Sequence, residues 1–278
     1  RNLDPRRPSF FDRWRDVPQE SQDELNQFGT HFIDLDMRGN ITLSFAGDST
    51  AALTDSQPRS GTGMWYVPPV NEIDAQLTGE FDLSGLNRAT LTFATWYDLE
   101  EDYDFAYVSI STDGGQSWDL LSPDHQSAGE YGPAFNGRSQ NESGSEDGWV
   151  KESISLNRYS GLTVLIRFEV LTDSAVTGRG FAVDDISIPE LGYLNDAEGD
   201  TAPWQANGFV QTNWLLPQQW IVQFIEPGDE PRVTRLPLNE LNQGQWQLTV
   251  GRDGGVLAIT PATPFTDDTA VYWLKATK

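Results

Sequence analysis

The sequence predicts an all-β protein, a jelly-roll β-sandwich followed by a smaller β-sandwich. Three observations carry this. Apolar residues alternate with polar ones at period two in many short runs, as in Val164, Ile166, Phe168 and Val170. Turn residues separate the runs, for example Asp113-Gly114-Gly115 and Pro227-Gly228-Asp229. Sustained helical periodicity occurs nowhere. With 278 residues, the chain is long enough for one large sandwich or two smaller domains.

Residues 1–27 are polar and read as an N-terminal arm, with Ser21 placed to cap a short helix. So polar an arm is seldom ordered unless something ties it down, so it is expected to pack across its own domain or on a neighbouring molecule. The jelly roll is expected over 28–198. His31-Phe32-Ile33-Asp34-Leu35 and Ile41-Thr42-Leu43-Ser44-Phe45 flank the turn Arg38-Gly39-Asn40. Met64-Trp65-Tyr66-Val67 is a short strand closed by two prolines. Two similar turns, 82–88 and 155–162, each lead into a strand, and these units read as counterparts in two packed sheets. The organising stretch is 90–121, where two strand patterns flank an acidic loop. Ser122 to Asp147 is a long loop rich in Gly, Ser and acids. Phe181 to Ile188 closes the domain. The acidic, Gly-containing segment 195–202 marks a boundary, and 199–278 offers five short strands, a small β-sandwich.

The net charge is −24 and the pI about 4.2, which argues against nucleic acid and anionic membranes as partners. The longest uncharged run, 201–225, is broken by Pro203 and Pro217 and fails as a membrane span, so no insertion is expected. Without cysteine there are no disulfides, thiol nucleophiles or thiolate metal sites. The chain opens on Arg1, so a processed product or a segment of a longer polypeptide is expected.

In the acidic loop, Asp98, Glu100, Glu101, Asp102 and Asp104 put five carboxylates in seven residues. Such a density repels itself unless water or a cation screens it, and hard oxygen ligands on a loop suit Ca²⁺. Trp96, Tyr97, Tyr103 and Tyr107 are candidates for stacking on sugar rings, although such aromatics also serve as core or cross-strand pairs.

Several blocks carry a resemblance in order: Phe81-Asp82-Leu83-Ser84-Gly85, Trp96-Tyr97-Asp98, Tyr103 to Val108, Ser111-Thr112-Asp113-Gly114-Gly115, Gly148-Trp149-Val150-Lys151-Glu152 and Gly180 to Ile186. Together they resemble the non-catalytic jelly-roll (MAM-like, galactose-binding-like) domain of secreted immune inhibitor A-type metallopeptidases, from about Gly61 to Glu198. The resemblance implies a structural calcium at Asp104, Asp184 and Asp185; the acidic loop itself offers Glu101 and Asp102 as further ligands. Strand parity would place Asp104 with Ala106, Val108 and Ile110, and Asp184 with Ile186 and Ile188, where unpaired carboxylates are costly and a cation would offset the cost. The competing reading pairs these acids with water, Arg167 or Arg179.

The family's zinc helix reads His-Glu-x-x-His. This chain has only His31 and His125, and neither begins that motif, so peptidase activity is not expected of it. The expected function is a non-catalytic, calcium-stabilised module, secreted or at the cell surface, that contacts a protein or polysaccharide surface. The competing expectation is a structural or adhesive protein that forms homo-oligomers or layers through its arm and sheet edges.

Overall fold

The structure is a computed structural model that describes residues 12–54, 56–139 and 148–278. It is built almost wholly of strands, as the alternation predicts, with short 3₁₀ turns at Asn157–Tyr159 and Pro189–Leu191. The chain divides into two compact units. One is Thr54–Trp214; the other joins the residues up to Leu53 with Leu215–Lys278.

The 54–214 unit is a two-sheet sandwich. In one sheet the order is Asp119–Leu120, Phe105–Ser111, Thr163–Leu171, Asp74–Asp82 and Trp204–Asn207. In the other it is Val150–Ser155, Thr90–Asp98, Gly180–Ile188, Met64–Val67 and Val210–Thr212, with Tyr193–Asn195 also paired to Gly180–Ile188. Val108, Ile166 and Leu77 from the first sheet meet Leu91, Phe93 and Val183 from the second in one buried cluster. Phe93 and Phe168 touch edge to face at 4.9 Å between ring centroids. The two similar turns do lead into strands of opposite sheets. They also clasp each other, since Leu83 N donates to Leu162 O and Gly161 N donates to Leu83 O.

The other unit is also a two-sheet sandwich. Its sheets run Asp12–Trp14, His31–Leu35, Gly255–Pro261, Trp220–Glu226, Arg232–Arg235, and Gln19–Leu25, Ala270–Thr277, Gly39–Gly47, Gln243–Val250. Ile33, Leu257 and Val222 pack with Leu43, Tyr272 and Leu274 in a separate core.

This organisation corrects the expected 1–27, 28–198 and 199–278 boundaries. Residues 19–25 form a full edge strand against Ala270–Thr277, not a helix or a loose arm. Their polar composition suits an edge whose outer face is wet, and ladder pairing overrides their weak β-propensity. The strands His31–Leu35 and Gly39–Gly47 pair with C-terminal strands, not with the jelly roll. The acidic segment at 195–202 is an internal loop: Asn195 Oδ1 accepts from Trp65 Nε1 at 2.9 Å, and Glu198 accepts the backbone N–H groups of Thr62 and Gly63. Beyond it, Trp204–Asn207 and Val210–Thr212 still belong to the sandwich of the 54–214 unit.

Candidate metal centre

The acidic loop joins Thr90–Asp98 to Phe105–Ser111. Asp104 N and Tyr103 N both donate to Glu100 O, at 3.1 and 3.4 Å. That single helix-like turn sets the side chains at 100 and 104 on the same side. Asp102 takes a left-handed conformation (φ 68°) within it, which an aspartate tolerates. Asn136 braces the loop. Its Nδ2 donates to Asp104 O at 2.9 Å and to Glu100 O at 3.3 Å, and its Oδ1 accepts from Asp102 N at 3.2 Å.

A second segment, 172–178, brings Asp173 to this turn. Thr172 Oγ1 donates to Val70 O and accepts from Ile73 N, while Asp173 O accepts from Glu72 N. Gly178 lets this segment lie flat on the end of the sheet, since a Cβ there would sit 2.1 Å from Asp98 O. Asp173 N donates to Asp104 Oδ1 at 3.0 Å. Carboxylate oxygens of Glu100, Asp104 and Asp173 then lie within 4.8 Å of one another.

The electrostatics of this trio are unfavourable without a cation. Asp104 is 1% exposed, and burial pushes its carboxyl above the ordinary range against hydrogen bonds from the backbone of Asp173 and Glu100. Burial, then the charges of Asp173 and Asp104, push the Glu100 carboxyl up as well. Glu100 Oε2 is shielded from solvent and has no hydrogen-bond partner. An orphaned carboxylate oxygen beside two other carboxylates fits a hard cation with oxygen ligands.

The other sequence candidates are placed elsewhere. Glu101 and Asp102 are exposed and stand outside the trio. Asp184 and Asp185 hold the 59–60 loop instead: Asp184 Oδ2 accepts from Ser60 N at 3.1 Å, and Asp185 Oδ1 accepts from Ser60 Oγ at 2.6 Å. The parity expected for Asp184 is broken by a bulge between Asp184 and Ser187, with Asp185 left-handed at φ 51°. Phe181 and Val183 face the core before the bulge, and Ile186 and Ile188 after it, so Asp184 lies on the opposite face. Arg167 pairs with Glu169 and covers the Trp118 ring at 3.9 Å, rather than meeting these acids.

Three of the four aromatic candidates are placed in the interior. Trp96, Tyr97 and Tyr107 are at most 5% exposed and offer no free ring face. Tyr97 packs on Phe135 at 5.3 Å, and Tyr107 lies beneath the hairpin Ser127–Ala128/Pro133–Ala134 with Phe105 and Ala134. Tyr103 alone of the four is open, at 61%. Sequence reasoning missed Asp173 and Asn136 as parts of the site. No local pattern marks either, because they reach the loop through tertiary packing.

Fold and site together define an all-β protein of two sandwiches with a candidate cation site at one acidic loop. The family model for the immune inhibitor A-like MAM domain matches residues 38–213, well over half of the chain, and the chain belongs to that family. It is 28% identical over 160 residues to the pre-pro-metalloprotease PrtV of Vibrio cholerae, and 28% identical over 158 residues to immune inhibitor A of Bacillus thuringiensis subsp. alesti. It is also 26% identical over 138 residues to bacillopeptidase F of Bacillus subtilis. These alignments cover 56%, 55% and 50% of this chain but only 16%, 21% and 8% of the relatives. The matched part is thus a small non-catalytic region of much longer proteins, and no peptidase domain is detected in this chain. No helix among the described residues is long and apolar enough to cross a membrane.

Proposed function

We propose that the chain is a secreted, non-catalytic accessory module that positions a peptidase against protein or polysaccharide surfaces, and that Ca²⁺ held by Glu100, Asp104 and Asp173 stabilises its 54–214 sandwich. The observation that carries the calcium reading is the buried, unpartnered Oε2 of Glu100, whose carboxylate clusters with those of Asp104 and Asp173. Backbone carbonyls and water would complete the six to eight oxygens that calcium takes. A cation bound only to the folded state stabilises by mass action, about 2.7 kcal/mol at a hundredfold excess over Kd.

Thermal melting in calcium and in chelator tests the reading. Calcium should raise the melting temperature of the intact chain, and Glu100→Gln with Asp104→Asn should remove the response. The shift should also fade on acidification, because protons compete for carboxyls whose pKa values lie above the ordinary range. Equal melting temperatures in calcium and chelator at neutral pH would overturn the calcium reading. The competing reading, self-assembly through the arm and sheet edges, gains no support from residues 19–25, which lie in a sheet of their own unit.

A further inference from the structure

The outer face of the sheet formed by Gln19–Leu25, Ala270–Thr277, Gly39–Gly47 and Gln243–Val250 carries an exposed tryptophan beside an amide-rich stripe. Tyr272 and Leu274 turn into the core, so Trp273 turns outward and is 47% exposed. The ladder sets it beside Gln22 on one neighbouring strand and Ala46 on the other, with Gln243 next in the same row. A groove of about 450 Å³ lies on this face, with Trp273, Gln22, Ala46 and Ser44 among its walls and the Glu20 and Lys275 pair at its side.

Beyond Trp273 the face continues as rungs of paired polar side chains. Gln245 Nε2 donates to Ser44 Oγ at 3.2 Å, Gln247 Nε2 to Thr42 Oγ1 at 2.9 Å, and Thr249 Oγ1 to Asn40 Oδ1 at 2.9 Å. From Ala46 to Asn40 this stripe extends about 20 Å at the strand rise. Each glutamine rung keeps an amide oxygen, a second amide hydrogen and a hydroxyl hydrogen for an outside partner. The charges on this face stand at one edge, where Lys275 Nζ lies 3.7 Å from Glu20 Oε2 and Glu24 is a second exposed acid two residues from Gln22. Such a stripe stands out in a chain of net charge −24.

We infer that this sheet face binds a neutral polysaccharide, with Trp273 stacking on a sugar ring and the Gln245–Ser44 and Gln247–Thr42 rungs bonding its hydroxyls. A pyranose offers an apolar C–H face and a rim of hydroxyls that both donate and accept. Trp273 supplies a rigid apolar plane, and the rungs supply donors and acceptors side by side. An anionic partner would meet the repulsion of the whole molecule, and a cationic one would find no acid cluster within the stripe. The inference rests on the accessory-module reading and assigns its contact surface to the unit outside 54–214 rather than to the four aromatics of the 96–107 stretch.

Electrophoresis of the intact chain through gels containing hydroxyethylcellulose, xyloglucan, galactomannan, laminarin or dextran tests it, with polygalacturonate as the anionic control. At least one neutral polymer should retard the chain, with little change on adding salt. Trp273→Ala should weaken that affinity about tenfold or more, a loss of the size one stacking contact carries. Trp273→Phe should restore part of it, and Gln245→Ala with Gln247→Ala should weaken it without touching the tryptophan. Calorimetry of each variant checks that the fold is retained. Retardation by none of the neutral polymers, or binding by Trp273→Ala equal to the intact chain, would overturn the inference. So would a dimer that Trp273→Ala dissolves in the absence of polysaccharide binding, which would assign the face to a second copy. The calcium response of the melting temperature is read on the same samples and fails or survives independently.

Discussion

Asp184 shows what burying a carboxyl costs. It is fully buried, its two oxygens accept from Ser60 N and Asp185 N, and burial pushes its pKa up to about 7. The folded value lies above the unfolded one, near 3.8, so the protonated form is the one folding favours. That contribution is fully present below about pH 4 and is lost as pH rises through about 7, on the order of a few kcal/mol. Asp184→Asn cannot titrate. Its stability should therefore change less between pH 4 and 7 than that of the intact chain, as measured by denaturant titration at stepped pH. An unaltered slope would mean that Asp184 ionises in the fold as freely as it does in the unfolded chain. The nearby Asp185 acts through its backbone instead. At φ 51° a β-branched side chain is strained, so Asp185→Val should destabilise by about 1–2 kcal/mol, with loss of the Ser60 Oγ contact added.

At the scale of elements, period two located most of the strands, since Thr163–Leu171 and Asp74–Asp82 alternate buried and open positions along their whole length. It failed in two physically distinct places. Along Gly180–Ile188 the bulge changes the face, and nothing in Val183-Asp184-Asp185-Ile186 announces the left-handed residue. Gln19–Leu25 has no apolar alternation to read, because an edge strand needs only backbone partners on one side and Ala270–Thr277 supplies them. The candidate site was half legible for a related reason. Glu100 and Asp104 share one loop and are visible as a charge cluster, whereas Asp173 arrives from the far end of Thr163–Leu171. The edge strand also changes the consequence of trimming the chain. Removing residues 1–27 strips the ladder from Ala270–Thr277 and uncovers a sheet edge. The trimmed protein should lose stability and aggregate, which thermal melting and light scattering would register. Retention of the intact melting behaviour would show that this strand contributes little to its sheet.

At the scale of the whole molecule, the chain order and the spatial order differ: 54–214 is interposed between two stretches that build the other sandwich together. Each unit has its own buried cluster, one around Phe93, Phe168 and Val183, the other around Phe45, Trp220 and Tyr272. A separate core and a closed set of sheet pairings are what a unit needs to fold by itself. The fragment 54–214 should therefore fold alone, melt cooperatively and keep the calcium response of the intact chain, because Glu100, Asp104 and Asp173 all lie within it. The fragment 199–278 should behave in the opposite way. It retains Gly255–Pro261, Gln243–Val250 and Ala270–Thr277 but loses every strand up to Gly39–Gly47 that pairs with them. Leu257, Leu274 and Tyr272 would be left without Ile33, Leu43 and Phe45. Circular dichroism and calorimetry on the two fragments decide the matter. A cooperative transition in 199–278 would mean that its five strands complete a sandwich unaided. Failure of 54–214 to melt cooperatively would mean that its core depends on the flanking stretches.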